Sequence, residues 1–299
     1  MTKDRSGKLI PVKFVPLICG ILLGLVLILA AFLIVRGEGP AKRGYDVVIF
    51  GDSIMAYSQD ETSVANMIAS RTGLSVGDFS FGGTMAAYNA ANGSLGSHKN
   101  YLCMAALSQA LVSDDLSVQR NLYIADSATD YFYERVSELE ALDLKATDIV
   151  IIEHCLNDYH SAIPIGDENS RNEYTYCGAL RLAVENIRRV NPDIRIIFVS
   201  PTEKWMLDGT SASEYDYGGG VLDDYMDAQR RMAEVLNVEY VWMHDLYGEA
   251  SDRFTDDLTG EPVIGSGYTV EGTHPNYYGR YVISERISDY LEGKYNDGK

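Results

Sequence analysis

Five short apolar runs alternate with segments of helical periodicity, and this alternation limits the fold more than any other feature of the chain. The β-type runs are Tyr45–Phe50, Leu74–Phe79, Asp148–Glu153, Ile194–Ser200 and Val238–Met243. The first, third and fourth are nearly continuous stretches of β-branched or aromatic residues, typical of strands buried on both faces of a parallel sheet. Strands that alternate with helices predict a parallel sheet covered by helices on both sides.

Helical periodicity, with apolar residues three and four positions apart, separates these runs. The predicted helices are Thr62–Arg71, Ala128–Leu142, Glu173–Val190, Val221–Leu236 and a C-terminal helix Tyr277–Leu291. The segment Thr84–Ser127 is the least regular and contains no repeat, so we interpret it as an insertion that could cover the active crevice. No second domain is predicted.

The N-terminal segment differs from the rest in composition. Phe14–Val35 is an uninterrupted apolar run of 22 residues, long enough to cross a bilayer as a helix. Lys3, Arg5, Lys8 and Lys13 precede it, which favours a cytoplasmic N-terminus. The run exceeds the apolar region of a cleaved signal peptide, so an uncleaved anchor is favoured and a removed signal is the alternative. We expect an anchor over residues 1–38, a linker over 39–44 and one exported domain over 45–299.

Charge and cysteine usage exclude several classes of function. The net charge is −18, and such a surface repels nucleic acid and anionic lipid headgroups, so a nucleic-acid partner is not expected. Cys103, Cys155 and Cys177 show no CxxC spacing, which indicates neither a zinc site nor a disulfide framework. Three buried thiols are the favoured interpretation, and one bridged pair is the alternative.

A candidate nucleophile follows the first predicted strand, in Gly51-Asp52-Ser53-Ile54. A serine hydroxyl is a weak nucleophile that needs a base within hydrogen-bond reach. Gly51 allows a sharp turn, after which the amides at the start of a helix can face a developing negative charge. The alternative is that Asp52 and Ser53 only cap that helix, since both are common N-cap types.

A candidate base lies near the C-terminus, in Glu271-Gly272-Thr273-His274-Pro275. A single turn can bring the Glu271 carboxylate beside one imidazole nitrogen of His274 while the other nitrogen faces Ser53. The alternative is a surface turn with a capping interaction. Ser53, His274 and Glu271 together are the layout of a serine esterase.

Two further loops follow predicted strands. Asn157 comes after the third strand, and its amide can donate to an oxyanion. Gly83 follows the second strand and offers a backbone N–H without a side chain in the way. Ser53, Gly83, Asn157 and Thr202 all fall just past strand ends, where the crevice of a parallel α/β fold lies.

Together these four blocks resemble the SGNH (GDSL-type) hydrolase family of esterases and lipases, over roughly Tyr45 to Leu291. The resemblance implies a three-layer α/β/α sandwich with a five-stranded parallel sheet of the flavodoxin-like type. It implies Ser53 as the nucleophile and an oxyanion hole formed by Ser53, Gly83 and Asn157, with Gly82 as an alternative to Gly83.

The chain departs from the family pattern at two positions. Cys155 stands where the family usually has glycine, so the backbone before Asn157 must be one that a side chain tolerates. Glu271 replaces the usual aspartate, and Asp256 and Asp257 are fallback acids. The resemblance implies no metal and no organic cofactor, and the histidines elsewhere show no ligand spacing, being expected on the surface or in satisfied loops: His98, His154 and His160.

The expected function is an exported, membrane-anchored serine ester hydrolase that removes O-acetyl groups from a carbohydrate or cell-envelope glycan. A lipid or short-chain acyl esterase and an acyltransferase would use the same residues. A non-catalytic glycan-binding domain on this fold is the alternative of another class. The expected partners are a small-molecule or glycan ester and, through the N-terminal helix, the membrane; the oligomeric state is left open.

Overall fold

The computed structural model describes residues 41–92, 98–122, 130–206, 208–248 and 267–295. The elements below belong to one compact unit, Lys42–Lys299. The predicted anchor Phe14–Val35 lies outside the described residues. Among the helices that are described, none is both long and apolar enough to span a membrane.

One parallel sheet forms the centre of the fold. Its strands are β1 (Val47–Gly51), β2 (Val76–Asp78), β3 (Ile149–Glu153), β4 (Arg195–Val199) and β5 (Glu239–Val241). They lie in the order β2-β1-β3-β4-β5, with every neighbouring pair parallel. This confirms the predicted five-stranded parallel α/β sheet, and the order is the flavodoxin-like one. The strand order reverses direction between β1 and β3, which is where such folds bind ligands.

The core explains why the central strands are so apolar. Every residue of β1 is buried, and Val47 lies in register with Val76 on one side and Ile149 on the other. A strand paired on both edges and covered on both faces has no exposed position, so apolar residues replace the usual alternation. Fully burying one such aliphatic side chain stabilises the fold by roughly 1.5–3 kcal/mol.

Helices cover the sheet. In the described residues they are α1 (Ser53–Ala56), α2 (Val64–Thr72), α3 (His98–Tyr101), α4 (Met104–Ser113), α5 (Ser117–Arg120), α6 (Tyr131–Glu140), α7 (Leu156–His160), α8 (Tyr176–Val190), α9 (Leu222–Leu236) and α10 (Tyr277–Leu291). Helix α2 packs against α10, whereas α4 and α9 both pack against α8. The β1–β2 connection moves toward one edge of the sheet and the later connections move toward the other; because such connections are almost always right-handed, they place these two groups on opposite faces of the sheet.

Within the segment 84–127, the described residues 84–92 and 98–122 are more regular than the sequence indicated. Helix α4 has ten residues, and its first five, Met104–Ser108, are all buried. It packs against α8 and so belongs to a helical layer. The interpretation of this part as an irregular insertion over the crevice is therefore wrong for α4, whose apolar residues occupy too many positions to show a helical period.

Two smaller features concern the cysteines and the start of the domain. Cys103, Cys155 and Cys177 are free and buried, which confirms the interpretation as buried thiols. Arg43, in the segment predicted as a linker, forms a short parallel bridge with Leu142. This end of the segment is therefore attached to the fold.

Candidate active site

The turn between β1 and α1 presents Ser53. Asp52 precedes it as the N-cap of α1, and its Oδ1 accepts a hydrogen bond from Ile54 N at 2.8 Å. Ser53 is the first residue of the helix, and its side chain is left for other contacts. A Cβ built on Gly51 would lie 2.9 Å from Met55 Cγ, so this close turn favours glycine. Asp52 thus performs the capping that the sequence also allowed for Ser53.

The C-terminal turn brings an imidazole to this serine. His274 Nε2 lies 3.0 Å from Ser53 Oγ, although 221 positions separate the two residues. On the other side of the ring, His274 Nδ1 contacts Glu271 Oε1. Ser53, His274 and Glu271 therefore form one continuous chain of contacts. With Nδ1 protonated toward the carboxylate, Nε2 can accept the serine proton.

Hydrogen bonds fix the turn that carries the acid and the base. Val270 N donates to His274 O at 2.8 Å, closing the turn. Gly272 has φ of 83°, a left-handed conformation that favours glycine. Trp205 N, from the segment after β4, donates to Gly272 O at 2.9 Å. The turn is held in place even though the Glu271 side chain is 42% exposed.

Tyr57 covers one face of the imidazole. Its ring stacks on His274 with a centroid separation of 5.0 Å and an interplanar angle of 17°. The tyrosine itself is 42% exposed. The stacked ring restricts rotation of the His274 side chain, and its outer face remains open to solvent.

Two backbone amides beside Ser53 are available to an oxyanion. Ser53 N and Gly83 N donate to no acceptor among the described residues. Gly82 N, by contrast, donates to Tyr131 Oη at 3.0 Å, so Gly83 rather than Gly82 offers a free N–H. A Cβ built on Gly82 would lie 3.8 Å from Ser53 Cβ, which places this loop next to the serine.

Asn157 lies in the same crevice, but its amide group is engaged. Asn157 Nδ2 donates to Asp52 Oδ2 at 2.9 Å and to Thr84 O at 3.0 Å. The side-chain amide of Asn157 has two N–H hydrogens, and these two hydrogen bonds use both of them. Asn157 joins the serine turn to the Gly83 loop, and it can serve an oxyanion only by sharing or exchanging one of these bonds.

The substitution of the usual glycine by Cys155 is tolerated by the backbone. Cys155 has φ of −169°, which lies outside the left-handed range that favours glycine. Its side chain is buried in the core.

A buried carboxyl group lies beneath the serine turn. Glu153, the last residue of β3, is fully buried, and its Oε2 accepts from Asp52 N at 3.4 Å. Its Oε1 has no hydrogen-bond partner among the described residues. Burial, and then the nearby Asp52 carboxyl, raise the pKa of Glu153 well above its usual value. The Glu153 carboxyl group therefore keeps its proton to a higher pH than an exposed glutamate does.

Two more buried ionisable residues belong with Asp52 and Glu153. Asp158 accepts from Ala86 N at 2.8 Å and from Ala87 N at 3.0 Å, and burial raises its pKa to about 7. His154 was expected on the surface or in a satisfied loop; it lies in the loop after β3 but is 1% exposed, and its Nδ1 has no partner among the described residues. Burial lowers the pKa of His154 to about 3. We refer to Asp52, Glu153, His154 and Asp158 as the buried polar layer.

The other candidate positions contribute less to the site. No group of three or more His, Cys, Asp or Glu residues in the described part of the chain could hold a metal ion. His98 packs edge-on against Phe132, with ring centroids 5.9 Å apart. The fallback acids Asp256 and Asp257 lie outside the described residues.

Sequence reasoning missed Lys204, which lies beside the turn that carries Glu271 and His274. Its side chain is only 8% exposed, and Trp205, the next residue, is bonded to Gly272. The available signal was its position a few residues past the end of β4, where Thr202 had been noted.

Comparison with known proteins gives one match at the level of families. The model of the GDSL-like Lipase/Acylhydrolase family matches residues 49–280. This range includes Ser53, Gly83, Asn157, Glu271 and His274. No curated protein matches the chain in sequence.

Solved structures share the fold at low identity. A protein from Lactobacillus plantarum superposes with a TM-score of 0.56 and 18% identity, over 87% of this chain and 100% of its own. A structure described as a possible lipase from Chitinophaga pinensis gives 0.54 and 14% identity, over 84% of this chain and 100% of its own. At such identities these similarities show the fold alone.

Proposed function

Because this chain belongs to the GDSL-like lipase/acylhydrolase family and is a carboxylic ester hydrolase of that type, we propose that it removes O-acetyl groups from a glycan with Ser53 as its nucleophile. The observation that carries the proposal is the 3.0 Å distance between His274 Nε2 and Ser53 Oγ. A serine becomes an effective nucleophile when a base lies within hydrogen-bond reach.

The proposed reaction has two halves. His274 Nε2 takes the Ser53 proton as Oγ attacks the acetyl carbonyl, and Glu271 stabilises the imidazolium that forms. The imidazolium then protonates the departing sugar oxygen, which leaves an acetyl-serine. Water, deprotonated by the same imidazole, attacks this ester and releases acetate, restoring the free serine.

The N–H groups of Ser53 and Gly83 would hold the tetrahedral oxyanion. Their lack of an acceptor in the described residues supports this role. Asn157 would be the third donor, once one of its bonds to Asp52 or Thr84 is exchanged for the oxyanion. Preorganised donors of this kind usually make the largest single contribution to catalysis.

We propose that the domain acts outside the cytoplasm, tethered to the membrane. The support is the apolar run Phe14–Val35 with basic residues before it. An enzyme held at the non-cytoplasmic face of the membrane has the cell-envelope glycan within reach. Protease added to intact cells should then degrade residues 45–299, whereas a cytoplasmic domain would survive.

The reaction is tested with the full-length protein in detergent. Wild type should release acetate from an acetylated glycan and react with a fluorophosphonate probe at Ser53. Ser53→Ala should lose the labelling and lower kcat/KM by about 10⁴-fold or more, with an unchanged unfolding transition.

The matched control is Ser58→Ala, since Ser58 Oγ bonds to Asp60 Oδ1 at 2.7 Å, outside the catalytic contacts. This variant should keep both signals. Equal activity in wild type and Ser53→Ala would contradict the proposal, and transfer of acetyl to an added sugar would reassign the second half-reaction.

A further inference from the structure

A largely buried lysine in the segment after β4 has no counter-ion among the described residues. Lys204 is 8% exposed, and its Nζ forms no hydrogen bond or ion pair with any of the described residues. The adjacent carboxylate is engaged elsewhere, because Glu203 Oε1 accepts from Lys204 N at 2.9 Å and Oε2 contacts His244 Nε2 at 2.9 Å. Buried charges are ordinarily paired, so an ammonium with no partner in the described part of the chain requires an explanation.

This ammonium belongs to the catalytic crevice. The hydrogen bond from Trp205 N to Gly272 O, at 2.9 Å, joins the Lys204 segment to the turn that carries the acid and the base. Burial lowers the pKa of Lys204, while the charges of Asp52 and Glu271 raise it. Lys204 is thus near both carboxylates but is not in contact with either.

Two further basic side chains face the same space. Cε and Nζ of Lys99 lie 3.3 and 3.4 Å from a Cβ built on Gly83. The His160 ring packs against Tyr217 at 4.7 Å between centroids, and Lys204 Nζ lies 6.0 Å from the centroid of that tyrosine. Burial lowers the pKa of His160, and the positive charges of Lys204 and Lys99 lower it further.

The two lysines of this crevice, Lys204 and Lys99, are unusual in a chain of this composition. The protein carries a net charge of −18, so positive groups in the crevice do not follow from a basic surface. Lys99 lies over the Gly83 loop, and Lys204 lies within electrostatic range of Asp52 and Glu271, so two positive groups lie near the serine turn. A local field of this sign attracts an anion against the field of the whole molecule.

We propose that the crevice binds an ester whose alcohol part carries an anionic oxygen group, a carboxylate or a phosphate, and that Lys204 pairs with this group while the acetyl carbonyl lies at Ser53. The inference rests on the proposed function and narrows its substrate class to acidic glycans. Lys204 determines the specificity, and the exposed Lys99 contributes less.

Two pairs of matched substrates test the inference with the full-length protein. The carboxylate pair is acetylated glucuronic acid and its neutral methyl ester. The phosphate pair is acetylated glucose 6-phosphate and acetylated glucose. Wild type should prefer the anionic member of at least one pair by about tenfold in kcat/KM, as expected for one charge-assisted hydrogen bond. The pair that shows the preference identifies the anion.

Variants then locate the source of the preference. Lys204→Met should lower the anionic-to-neutral ratio by about tenfold, mainly through the KM of the anionic substrate, and Lys204→Arg should keep most of the ratio. Lys99→Met should lower it about twofold to threefold. The matched control is Lys145→Met, because Lys145 lies just before β3, at the opposite end of the strands, and should leave the ratio unchanged. Raising salt from about 0.05 to 0.5 M should reduce the wild-type ratio.

The outcomes separate this inference from the proposed function. Equal kcat/KM for both members of both pairs in wild type overturns the inference and leaves acetyl ester hydrolysis intact. Equal losses on anionic and neutral substrates in Lys204→Met also overturn it, because they assign the lysine to the support of the catalytic turn. If wild type releases acetate from none of the four compounds, the proposed function itself is contradicted.

Discussion

Two sets of ionisable groups lie on either side of the serine turn, and they differ in their access to water. His274 and Glu271 have side chains that are 32% and 42% exposed, whereas Asp52 and Glu153 in the buried polar layer are fully buried. Exposed groups can exchange protons with substrate and solvent at little cost. Buried groups resist charging, and those of this layer are used as hydrogen-bond acceptors that hold loops together.

Substitutions in these two sets of groups should have different consequences. Removing the side chain of His274 or Glu271 should lower activity in a protein that still folds. Loss of a group from the buried polar layer should lower the free energy of unfolding and affect activity through the position of Ser53. Four substitutions test this division.

The largest effect is expected for Glu271→Gln. The amide keeps the size of the side chain but loses the charge that stabilises the imidazolium, so kcat should fall by about 10³-fold. Steady-state kinetics on an acetyl ester and the unfolding midpoint are the measurements. Glu271→Asp, which keeps the charge on a shorter chain, should lose only about tenfold. A loss below about tenfold in Glu271→Gln would show that another carboxylate serves His274.

The next effect is on stability, in Glu153→Ala. This change removes the acceptor of Asp52 N and leaves a cavity under the turn, and it should reduce the free energy of unfolding by about 3 kcal/mol. Urea titration followed by circular dichroism measures it. Glu153→Gln should cost less than about 1 kcal/mol, because burial favours the uncharged, protonated form of Glu153 and the amide is nearly isosteric with it. Equal destabilisation in both variants would show that the ionised carboxylate is needed.

A third substitution, Asp158→Asn, tests the pH dependence of stability. Folding raises the pKa of Asp158 from 3.8 to about 7, so the native state holds a proton that the unfolded chain releases. The stabilisation is complete below pH 3.8 and is lost as the pH rises toward 7, by at most about 1.4 kcal/mol per pH unit. Asp158→Asn removes this slope, since the amide does not titrate.

The measurement is the difference in unfolding free energy between wild type and Asp158→Asn at pH 5, 6 and 7. His154 titrates in the opposite sense, because its lowered pKa makes the fold lose stability as the pH falls. His154 is present in both proteins and therefore largely cancels in the difference. Parallel pH profiles would contradict the raised pKa of Asp158.

The smallest effect is expected for Tyr57→Ala. Without the stacked ring the His274 side chain gains rotational freedom, and kcat/KM should fall about fivefold, as expected for an aromatic contact near 1 kcal/mol. Tyr57→Phe keeps the ring and should stay within twofold of wild type. If both variants lose activity equally, the hydroxyl rather than the stacking is responsible.

The sequence predicted the sheet well because burial on two faces leaves a simple pattern. Each strand lies within about one residue of its apolar run but is shorter than the run, as with β2, which pairs only over Val76–Asp78. Burial continues past the end of the ladder, since Phe79 is buried outside the strand. Apolar runs therefore report the core rather than the hydrogen-bonded pairs. The C-terminal helix Tyr277–Leu291 matched at both ends, because Asn276 caps it clearly.

The motif residues of the site could be selected from the sequence, and their neighbours could not. Ser53 and His274 stand in short recognisable turns, but Tyr57 and Lys204 carry no local signal of their contacts. Glu153 was read as the end of an apolar strand, and nothing near it in the chain marks a buried carboxyl. Such positions depend on which loops meet in three dimensions, and local periodicity does not contain that information.

The distance along the chain between Ser53 and His274 has a consequence for biosynthesis. At ribosomal rates of roughly 5–20 residues per second, the histidine emerges about 10–45 s after the serine. During this interval the nascent polypeptide holds a hydroxyl that has no base to activate it. Activity can begin only when the last helix has been translated and has docked against α2, so prematurely terminated products are inert by construction.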